Sequence, residues 1–227
     1  MTITKTEIRT WLIQLDQVYA DNKIYLTELD SPIGDADHGI NMARGFKAVA
    51  EKLADSDADI GSLLKTTGMT LIGTMGGASG PLYGTFFIDA ANSALNKDEI
   101  NTAELISMIG QGIQGLVRRG RAELDDKTMV DAWVPAHEAL KASFETGEGL
   151  WASLTEMVTA AEEGMKATTP MLAKKGRASY LGERSIGHQD PGATSTYLML
   201  KALAKTVMND SIHENYEQSD QEVWDTF

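Results

Sequence analysis

The sequence predicts an all-α protein with a single domain. Apolar residues recur at intervals of three and four along most of the 227 residues, which is the spacing of one helix face. No alternation of apolar and polar residues is long enough to predict a strand, although Thr85–Asp89 is briefly strand-like. No internal repeat or low-complexity linker divides the chain, and its length suits one sizeable core. We therefore expect one domain over residues 1–227 with about eight helices.

The helices differ in how clearly the sequence marks them. In the first helix, Ile8 to Tyr19, both end residues lie on the same apolar face as Trp11, Leu12 and Leu15. Three helices with weaker patterns follow, at about 38–54, 60–75 and 80–96. Four further helices have clear apolar faces and are predicted at Thr102–Val117, Thr128–Phe144, Trp151–Met165 and Thr194–Asn209.

The composition restricts the classes of partner. The chain has 33 acidic and 20 basic residues, a formal net charge of −13. Nucleic acids and anionic membranes are therefore not expected as partners, because binding them needs a basic surface. Cysteine is absent, which excludes disulfides and thiolate chemistry. There is no signal peptide and no long uncharged apolar run, so we expect a cytoplasmic enzyme or enzyme subunit.

Four polar, glycine-rich segments interrupt the helical pattern, at 29–39, 76–84, 120–127 and 168–192. Connections in a helical bundle are usually short and do not need this much Asp and Gly. A functional site is therefore expected in these loops.

The first loop contains three carboxylates, Asp30, Asp35 and Asp37, within eight residues. Magnesium prefers hard oxygen ligands and often completes its shell with water and substrate phosphates. A calcium loop or a solvated turn, with Asp37 capping the next helix, is the alternative. The EF-hand pattern fails, because Phe46 stands at position twelve counted from Asp35, where a Glu is required.

The second loop is a glycine-rich turn, Gly76–Gly84, that leads into a helix. Pro81 suits a first helical turn, the exposed amides there favour an anion, and Ser79 could add a hydroxyl. The segment is not a Walker loop, since no Gly-Lys-Ser/Thr follows at the required spacing. Close helix packing through small residues is the alternative interpretation.

Two later segments have weaker signals. Asp190-Pro191-Gly192 is typical of a plain helix start, and closure of its backbone on a ligand is the functional alternative. Arg177 and Arg184 lie in the longest non-periodic stretch, where an arginine could neutralise charge on a transferred phosphoryl group or simply be solvated. His137 lies on an apolar helix face and is expected to be a core histidine with a hydrogen-bond partner.

Together these segments resemble the nucleotide-binding family of the dihydroxyacetone kinases. That family includes the ADP-binding L subunits of the bacterial enzymes and the C-terminal nucleotide domains of the ATP-dependent enzymes. The motifs follow in the family's order: Ile33–Gly39 with Asn41-Met42, Gly76–Gly84, Asp126–Asp131, and Asp190–Ala193. One departure is Asp125, which stands where family members tend to have Gly.

The resemblance implies a closed barrel of eight antiparallel helices with a nucleotide at one end. Asp30, Asp35 and Asp37 would coordinate two Mg²⁺ ions and, with Arg177, form the catalytic set. The implied nucleotide-binding residues are His38, Gly39, Ile40, Asn41, Ala78, Ser79, Gly120, Met129, Arg177, Asp190, Pro191 and Gly192.

A free-standing chain of this length resembles the phosphoenolpyruvate-dependent type. ADP would then stay tightly bound as a cofactor, be phosphorylated by a phosphohistidine-carrying M subunit, and pass the group to dihydroxyacetone on a separate K subunit. The chain is expected to be a homodimer or a monomer within that complex, with a transcriptional regulator as a further candidate partner. The alternatives are a self-contained Mg-dependent kinase or phosphohydrolase acting on another substrate, and a nucleotide-binding regulatory module.

Overall fold

A computed structural model describes the backbone of residues 2–224 and the side chains as far as residue 208. Met1, residues 225–227 and the side chain of Asn209, which ends the last predicted helix, lie outside the described part. Within this part the chain forms nine α-helices. They are α1 (Lys5–Asp21), α2 (Lys23–Asp30), α3 (His38–Leu53), α4 (Ile60–Thr74), α5 (Ser79–Ala91), α6 (Thr102–Gly120), α7 (Val130–Glu145), α8 (Leu150–Ala167) and α9 (Pro191–Trp224).

Eight of these described helices form a closed ring. Helix α1 packs on α3, each helix from α3 to α9 packs on the next, and α9 returns to α1. The short α2 lies outside this ring order and contacts α3 and α9. The apolar helix faces meet inside the closed ring of helices. There the aromatic side chains of Phe86 and Trp133 stack with their centroids 4.1 Å apart, and the centroids of Tyr19 and Phe46 lie 4.8 Å apart. The predicted all-α barrel is confirmed.

Two helices of the ring begin with reciprocal capping boxes. The Thr4 hydroxyl accepts from the amide of Glu7, whose carboxylate accepts from the amide of Thr4. Asn101 and Glu104 repeat the arrangement at the start of α6. Each box satisfies helix-end amides that would otherwise lack a partner.

A small antiparallel sheet was not predicted. Strand β1 (Thr2–Thr4) pairs with β2 (Glu99–Asn101), with Ile3 opposite Ile100. Each strand has three residues and buries only its central one, so alternation is too short to stand out in the sequence.

Two helix ends differ clearly from the predictions, and one helix was missed. The last helix, predicted to end at Asn209, continues to Trp224. The helix predicted over 80–96 ends at Ala91, because the following turns supply partners for α4: the amides of Ile60 and Gly61 donate to the carbonyls of Lys97 and Ala94, both at 2.9 Å. Helix α2 was missed because it buries only Leu26 and Asp30, and so lacks an apolar periodicity. Among the described residues, no helix is long and apolar enough to cross a membrane.

Candidate functional site

A cavity of about 380 Å³ opens at one end of the ring. Successive helices of the ring alternate in direction, so the N-termini of α3, α5, α7 and α9 reach this end together. Of the residues predicted to form a site, those that line the cavity are Asp30, Asp35, Asp37, His38, Ala78, Ser79, Gly120, Met129, Arg177, Asp190, Pro191 and Gly192.

The helix starts around the cavity favour a negatively charged ligand. A helix N-terminus carries a partial positive charge and has amides without intrahelical partners. In the described structure the N-cap residues of α3, α5 and α7, which are Asp37, Ala78 and Met129, make no side-chain capping hydrogen bond. The first amides of α7 and α3 have other partners, since those of Val130 and Asp131 donate to Thr128 and that of His38 donates to Asp30. The first-turn amides at the start of α5 remain available to phosphate oxygens.

Asp30, Asp35 and Asp37 converge at the wall of the cavity. Each offers a carboxylate oxygen, and these oxygens lie within 4.8 Å of one another. Ala36, between the second and third, has a left-handed backbone with φ of 60°. That conformation is rare for alanine and costs about 1–2 kcal/mol, so the surrounding loop imposes it.

The buried Asp30 is fixed by the loop that follows it. Its Oδ2 accepts hydrogen bonds from the amides of Asp37 at 2.9 Å and His38 at 3.3 Å. Gly34 packs directly against the same carboxylate, where any Cβ would overlap it. The loop thus orients one buried carboxylate against two more exposed ones.

The donor set fits a divalent cation such as Mg²⁺. Three carboxylates supply the hard oxygen ligands that magnesium prefers, and the open side faces a cavity with room for phosphates. The alternative role for Asp37, as a side-chain cap of α3, is wrong, since its carboxylate accepts no helix amide. The guanidinium of Arg177 lies 2.8 Å from Asp35 Oδ2.

The glycine-rich turn has structural features that suit both interpretations considered for it. Gly77 has φ of +64°, which suits glycine, and a Cβ there would meet nothing within 4 Å. Gly80 instead packs closely, since a Cβ there would lie 2.6 Å from the carbonyl oxygen of Met75. Gly80 thus packs against the barrel, whereas the backbone at Gly77 stays open.

His38 connects the loop that carries Asp30, Asp35 and Asp37, which we call the aspartate loop, to the glycine-rich turn. Its Nδ1 lies 3.2 Å from Ser79 Oγ and its Nε2 lies 2.9 Å from Ser195 Oγ. Ser195 Oγ also lies 2.7 Å from the Tyr83 hydroxyl, which donates to the carbonyl oxygen of Gly192 at 3.2 Å. Burial lowers the pKa of His38 to about 4, opposed by the nearby Asp37. The imidazole is therefore neutral near pH 7.

Asp190 caps α9 and also faces the cavity. Its Oδ2 accepts from the amide of Ala193 at 2.7 Å, the plain helix start that the sequence predicted. Burial raises the pKa of Asp190 to about 7; the Ala193 amide and Lys127 oppose that shift, whereas Asp131 and Asp30 add to it.

The loop before α7 is built by Asp131. Its two carboxylate oxygens accept from the amides of Asp125 at 2.6 Å and Thr128 at 2.7 Å. Burial raises the pKa of Asp131. Asp125 has φ of 65°, a left-handed conformation that glycine adopts without strain. The departure from glycine noted at this position therefore falls on a residue whose backbone favours glycine.

Three predicted nucleotide-binding residues do not themselves line the cavity. Gly39 packs against the carbonyl of Lys23, and Ile40 faces outward with 43% of its surface exposed. The Oδ1 of the buried Asn41 accepts from the amide of Gly76 at 3.2 Å, so Asn41 holds the glycine-rich turn from behind.

Sequence reasoning assigned no role to several residues of the cavity wall. Lys127, Thr128 and Val130 belong to a motif that was quoted only for its resemblance, while Arg119 and Lys175 add positive charge. Lys127 directly follows two aspartates in the sequence, which gives no indication of its partners. Arg184 does not line the cavity, and His137 has the expected partner, with Nε2 3.0 Å from the carbonyl oxygen of Ile106.

Known proteins are similar to this chain in sequence and in architecture. A family model described as the DAK2 domain matches residues 32–205. The ADP-binding subunit of phosphoenolpyruvate-dependent dihydroxyacetone kinase from Escherichia coli K12 is 50% identical over 205 residues, which are 90% of this chain and 98% of that subunit. A corresponding subunit from Listeria innocua is 45% identical over 81% of this chain and 86% of its own length.

More distant relatives are longer. The L-erythrulose 1-kinase of Mycolicibacterium smegmatis is 36% identical over 83% of this chain, which matches 33% of that enzyme. The crystal structure of the C. freundii dihydroxyacetone kinase aligns with a TM-score of 0.70 and 26% identity, over 90% of this chain and 35% of that protein. The family model spans more than half of the sequence, and close relatives match nearly end to end. The chain belongs to the DAK2 domain family.

Proposed function

We propose that this chain is the ADP-binding subunit of a phosphoenolpyruvate-dependent dihydroxyacetone kinase. The observation that carries the proposal is the meeting of three carboxylates with four helix N-termini in one cavity. A relative named as such a subunit is 50% identical over 98% of its own length. The proposed cycle transfers a phosphoryl group from a phosphohistidine subunit to bound ADP, and then from ATP to a hydroxyl of dihydroxyacetone, which regenerates ADP.

The residues divide the work of holding the nucleotide. Asp30, Asp35 and Asp37 would hold two Mg²⁺ ions, which neutralise phosphate charge when bound. Ser79 at the start of α5 and Gly192 at the start of α9 line the cavity, and their backbone amides would suit phosphate oxygens. Apolar residues Leu82, Leu116 and Met129 line the same cavity and suit a base and ribose. His38, neutral and hydrogen-bonded at both nitrogens, keeps the aspartate loop and the glycine-rich turn in register.

Arg177 would supply positive charge at the phosphate end. Its guanidinium already reaches Asp35, and two-thirds of its side chain is exposed, so it can turn toward an anion at small cost. No nucleophile is needed from this chain, because the phosphoryl group moves between the nucleotide and groups on other proteins. The chain's contribution is position and charge.

The identity values favour the phosphoenolpyruvate-dependent type. Subunits named for that donor match at 50%, 45% and 41%, whereas kinases named for erythrulose match at 31–36%. The proposed partners are a K subunit that binds dihydroxyacetone and an M subunit that carries the phosphohistidine. A cytoplasmic location, a homodimeric or monomeric state and contact with a transcriptional regulator complete the proposal.

Native mass spectrometry of the purified chain tests the nucleotide assignment. We expect a mass increase equal to ADP with two Mg²⁺, lost on treatment with EDTA. The donor is tested by mixing the chain with the K subunit, dihydroxyacetone and an M subunit already phosphorylated on its histidine. Formation of dihydroxyacetone phosphate only when all partners are present is expected.

A second candidate is an ATP-dependent kinase acting on another small ketose. Its support is the match to erythrulose kinases and to human triokinase/FMN cyclase, at 31–36% identity over 82–88% of this chain. Turnover of Mg-ATP with erythrulose or dihydroxyacetone by the chain alone would favour it over the first proposal.

A further inference from the structure

Lys127 lies in the cavity wall and is almost completely buried. Only 1% of its surface is accessible. Its Nζ contacts the carbonyl oxygens of Thr168 at 2.7 Å, Met171 at 3.3 Å and Thr169 at 3.4 Å, and also that of His188. An ammonium group has three hydrogens. Four carbonyl oxygens therefore occupy all of its donors, and none is left to bind a phosphate as a Walker lysine does.

The carbonyls belong to both ends of one segment, residues 168–190, which we call the arginine loop. Thr168, Thr169 and Met171 follow α8, and His188 precedes α9. Between them the loop carries Arg177 at the start of a 3-10 segment, Arg177–Ser185. Lys127 thus joins the entry and the exit of the arginine loop at a single charged group.

Neutral hydrogen bonds support the same closure. The amide of Gly187 donates to the Thr169 carbonyl at 2.8 Å, and the amide of Asp190 donates to Thr168 Oγ1 at 2.9 Å. Beside Lys127, the backbone carbonyl of Asp126 accepts from the amide of Lys174 at 3.1 Å. A hydrogen bond from a charged donor is roughly twice as strong as a neutral one. The Lys127 ammonium therefore makes the strongest hydrogen bonds that hold the two ends of the arginine loop together.

We propose that Lys127 is a positioning residue for Arg177. By closing the base of the arginine loop, its ammonium fixes how far the Arg177 guanidinium reaches toward Asp35 and the phosphates. This role rests on the proposed function, in which Arg177 faces the phosphates of ADP. Lys127 acts on the ligand only through that arginine.

The test compares ADP with adenosine, because adenosine lacks the phosphates that Arg177 would meet. Affinities are measured with Mg²⁺ for the wild type and for Lys127→Met, Arg177→Met and the double variant, using titration calorimetry for ADP and displacement of a fluorescent ADP analogue for adenosine. We expect Lys127→Met to weaken ADP binding about tenfold or more while adenosine changes by less than about threefold. The double variant should bind ADP no more weakly than Arg177→Met alone.

The matched control is Lys174→Met, the same substitution in the arginine loop. Lys174 is half-exposed and makes an ion pair with Asp126 at 3.6 Å, a contact of little energetic weight. Lys174→Met should bind ADP and adenosine with the same affinities as the wild type. Cleavage of the arginine loop after Glu183 by a glutamate-specific protease should accelerate in Lys127→Met and stay slow in Lys174→Met, since neither substitution changes a glutamate.

Several outcomes would overturn the role of Lys127. They are an unchanged ratio of ADP to adenosine affinity in folded Lys127→Met, equal weakening of both ligands, and additive losses in the double variant. If Lys127→Met does not fold, Lys127→Arg takes its place, since a planar guanidinium does not match carbonyls converging on one point. If neither folds, the lysine is a determinant of the whole domain and the proposal fails. Normal ADP affinity in Arg177→Met would instead refute the proposed function of Arg177.

Discussion

The Arg177 guanidinium and the Asp35 carboxylate form an ion pair at 2.8 Å between the arginine loop and the aspartate loop. Their side chains are 67% and 36% exposed, so the pair adds little to stability. Asp35 is also one of three carboxylates suited to a metal. In the proposed function the pair joins the cation proposed to contact phosphate to a proposed ligand of magnesium, so we expect its loss to weaken ligand binding more than folding.

The first prediction separates these two effects in Arg177→Met. Without ligand, the free energy of unfolding should change by less than about 1 kcal/mol, because an exposed ion pair is lost. ADP affinity with Mg²⁺ should fall about tenfold or more, as expected for one charge-assisted contact to phosphate. Urea denaturation and calorimetry measure the two quantities. Arg184→Met is the control, since Arg184 is exposed in the same 3-10 segment but lies away from the cavity.

The second prediction concerns the metal carboxylates. Asp35→Ala and Asp37→Ala should each abolish retention of ADP while leaving the helix content largely intact, because the site loses a hard oxygen ligand. Native mass spectrometry and circular dichroism give the two readouts. Asp55→Ala removes an exposed aspartate of another loop and should retain ADP. If both site variants keep the nucleotide as the wild type does, the metal assignment is wrong.

The sequence was most informative where one residue type served one local purpose. Apolar periodicity located the long helices, because each buries a continuous face inside the ring. The carboxylates and glycines pointed to the site because those side chains suit metals and tight turns in any context. Asp30, Asp35 and Asp37 do meet, although six residues, among them the left-handed Ala36, separate the first from the last.

The parts that escaped prediction depend on contacts between distant segments. Helix α2 buries too few residues to show a pattern, and the strands of the small sheet find each other across almost a hundred residues. Lys127 gave no signal of its role, because its partners are backbone carbonyls, which every residue has. Asn41 was predicted to line the nucleotide but supports Gly76 from behind.

The third prediction tests the left-handed backbone of Asp125. Asp125→Gly should raise the free energy of unfolding or leave it unchanged, because glycine adopts φ of 65° without strain and Asp131 loses a like-charged neighbour. Asp125→Ala should be less stable than Asp125→Gly by about 1 kcal/mol, since alanine gains nothing at this φ. Both keep the amide that donates to Asp131. Urea denaturation decides, and a glycine variant less stable than the alanine variant would contradict the strain argument.

The last prediction uses the raised pKa of Asp190. Its pKa moves from an ordinary value of 3.8 to about 7 in the folded chain, mainly through burial. An acid with a raised folded pKa contributes stability that is full below pH 4 and is lost as the pH rises through 7. His38 acts in the opposite sense, because its pKa is lowered to about 4 and its contribution is lost as the pH falls from 6.5.

Asp190→Asn separates the two groups, since it cannot ionise and its amide oxygen can still accept from the amide of Ala193. His38 is common to both proteins, so its contribution cancels in their difference. Without nucleotide or metal, the stability of Asp190→Asn relative to the wild type should rise between pH 4 and pH 8 by about 4 kcal/mol, since each unit of pKa shift corresponds to about 1.4 kcal/mol. Urea denaturation at pH 4, 5, 6, 7 and 8 measures this. A difference that stays constant over that range would mean that Asp190 keeps an ordinary pKa, because only a pKa that changes on folding makes the difference depend on pH.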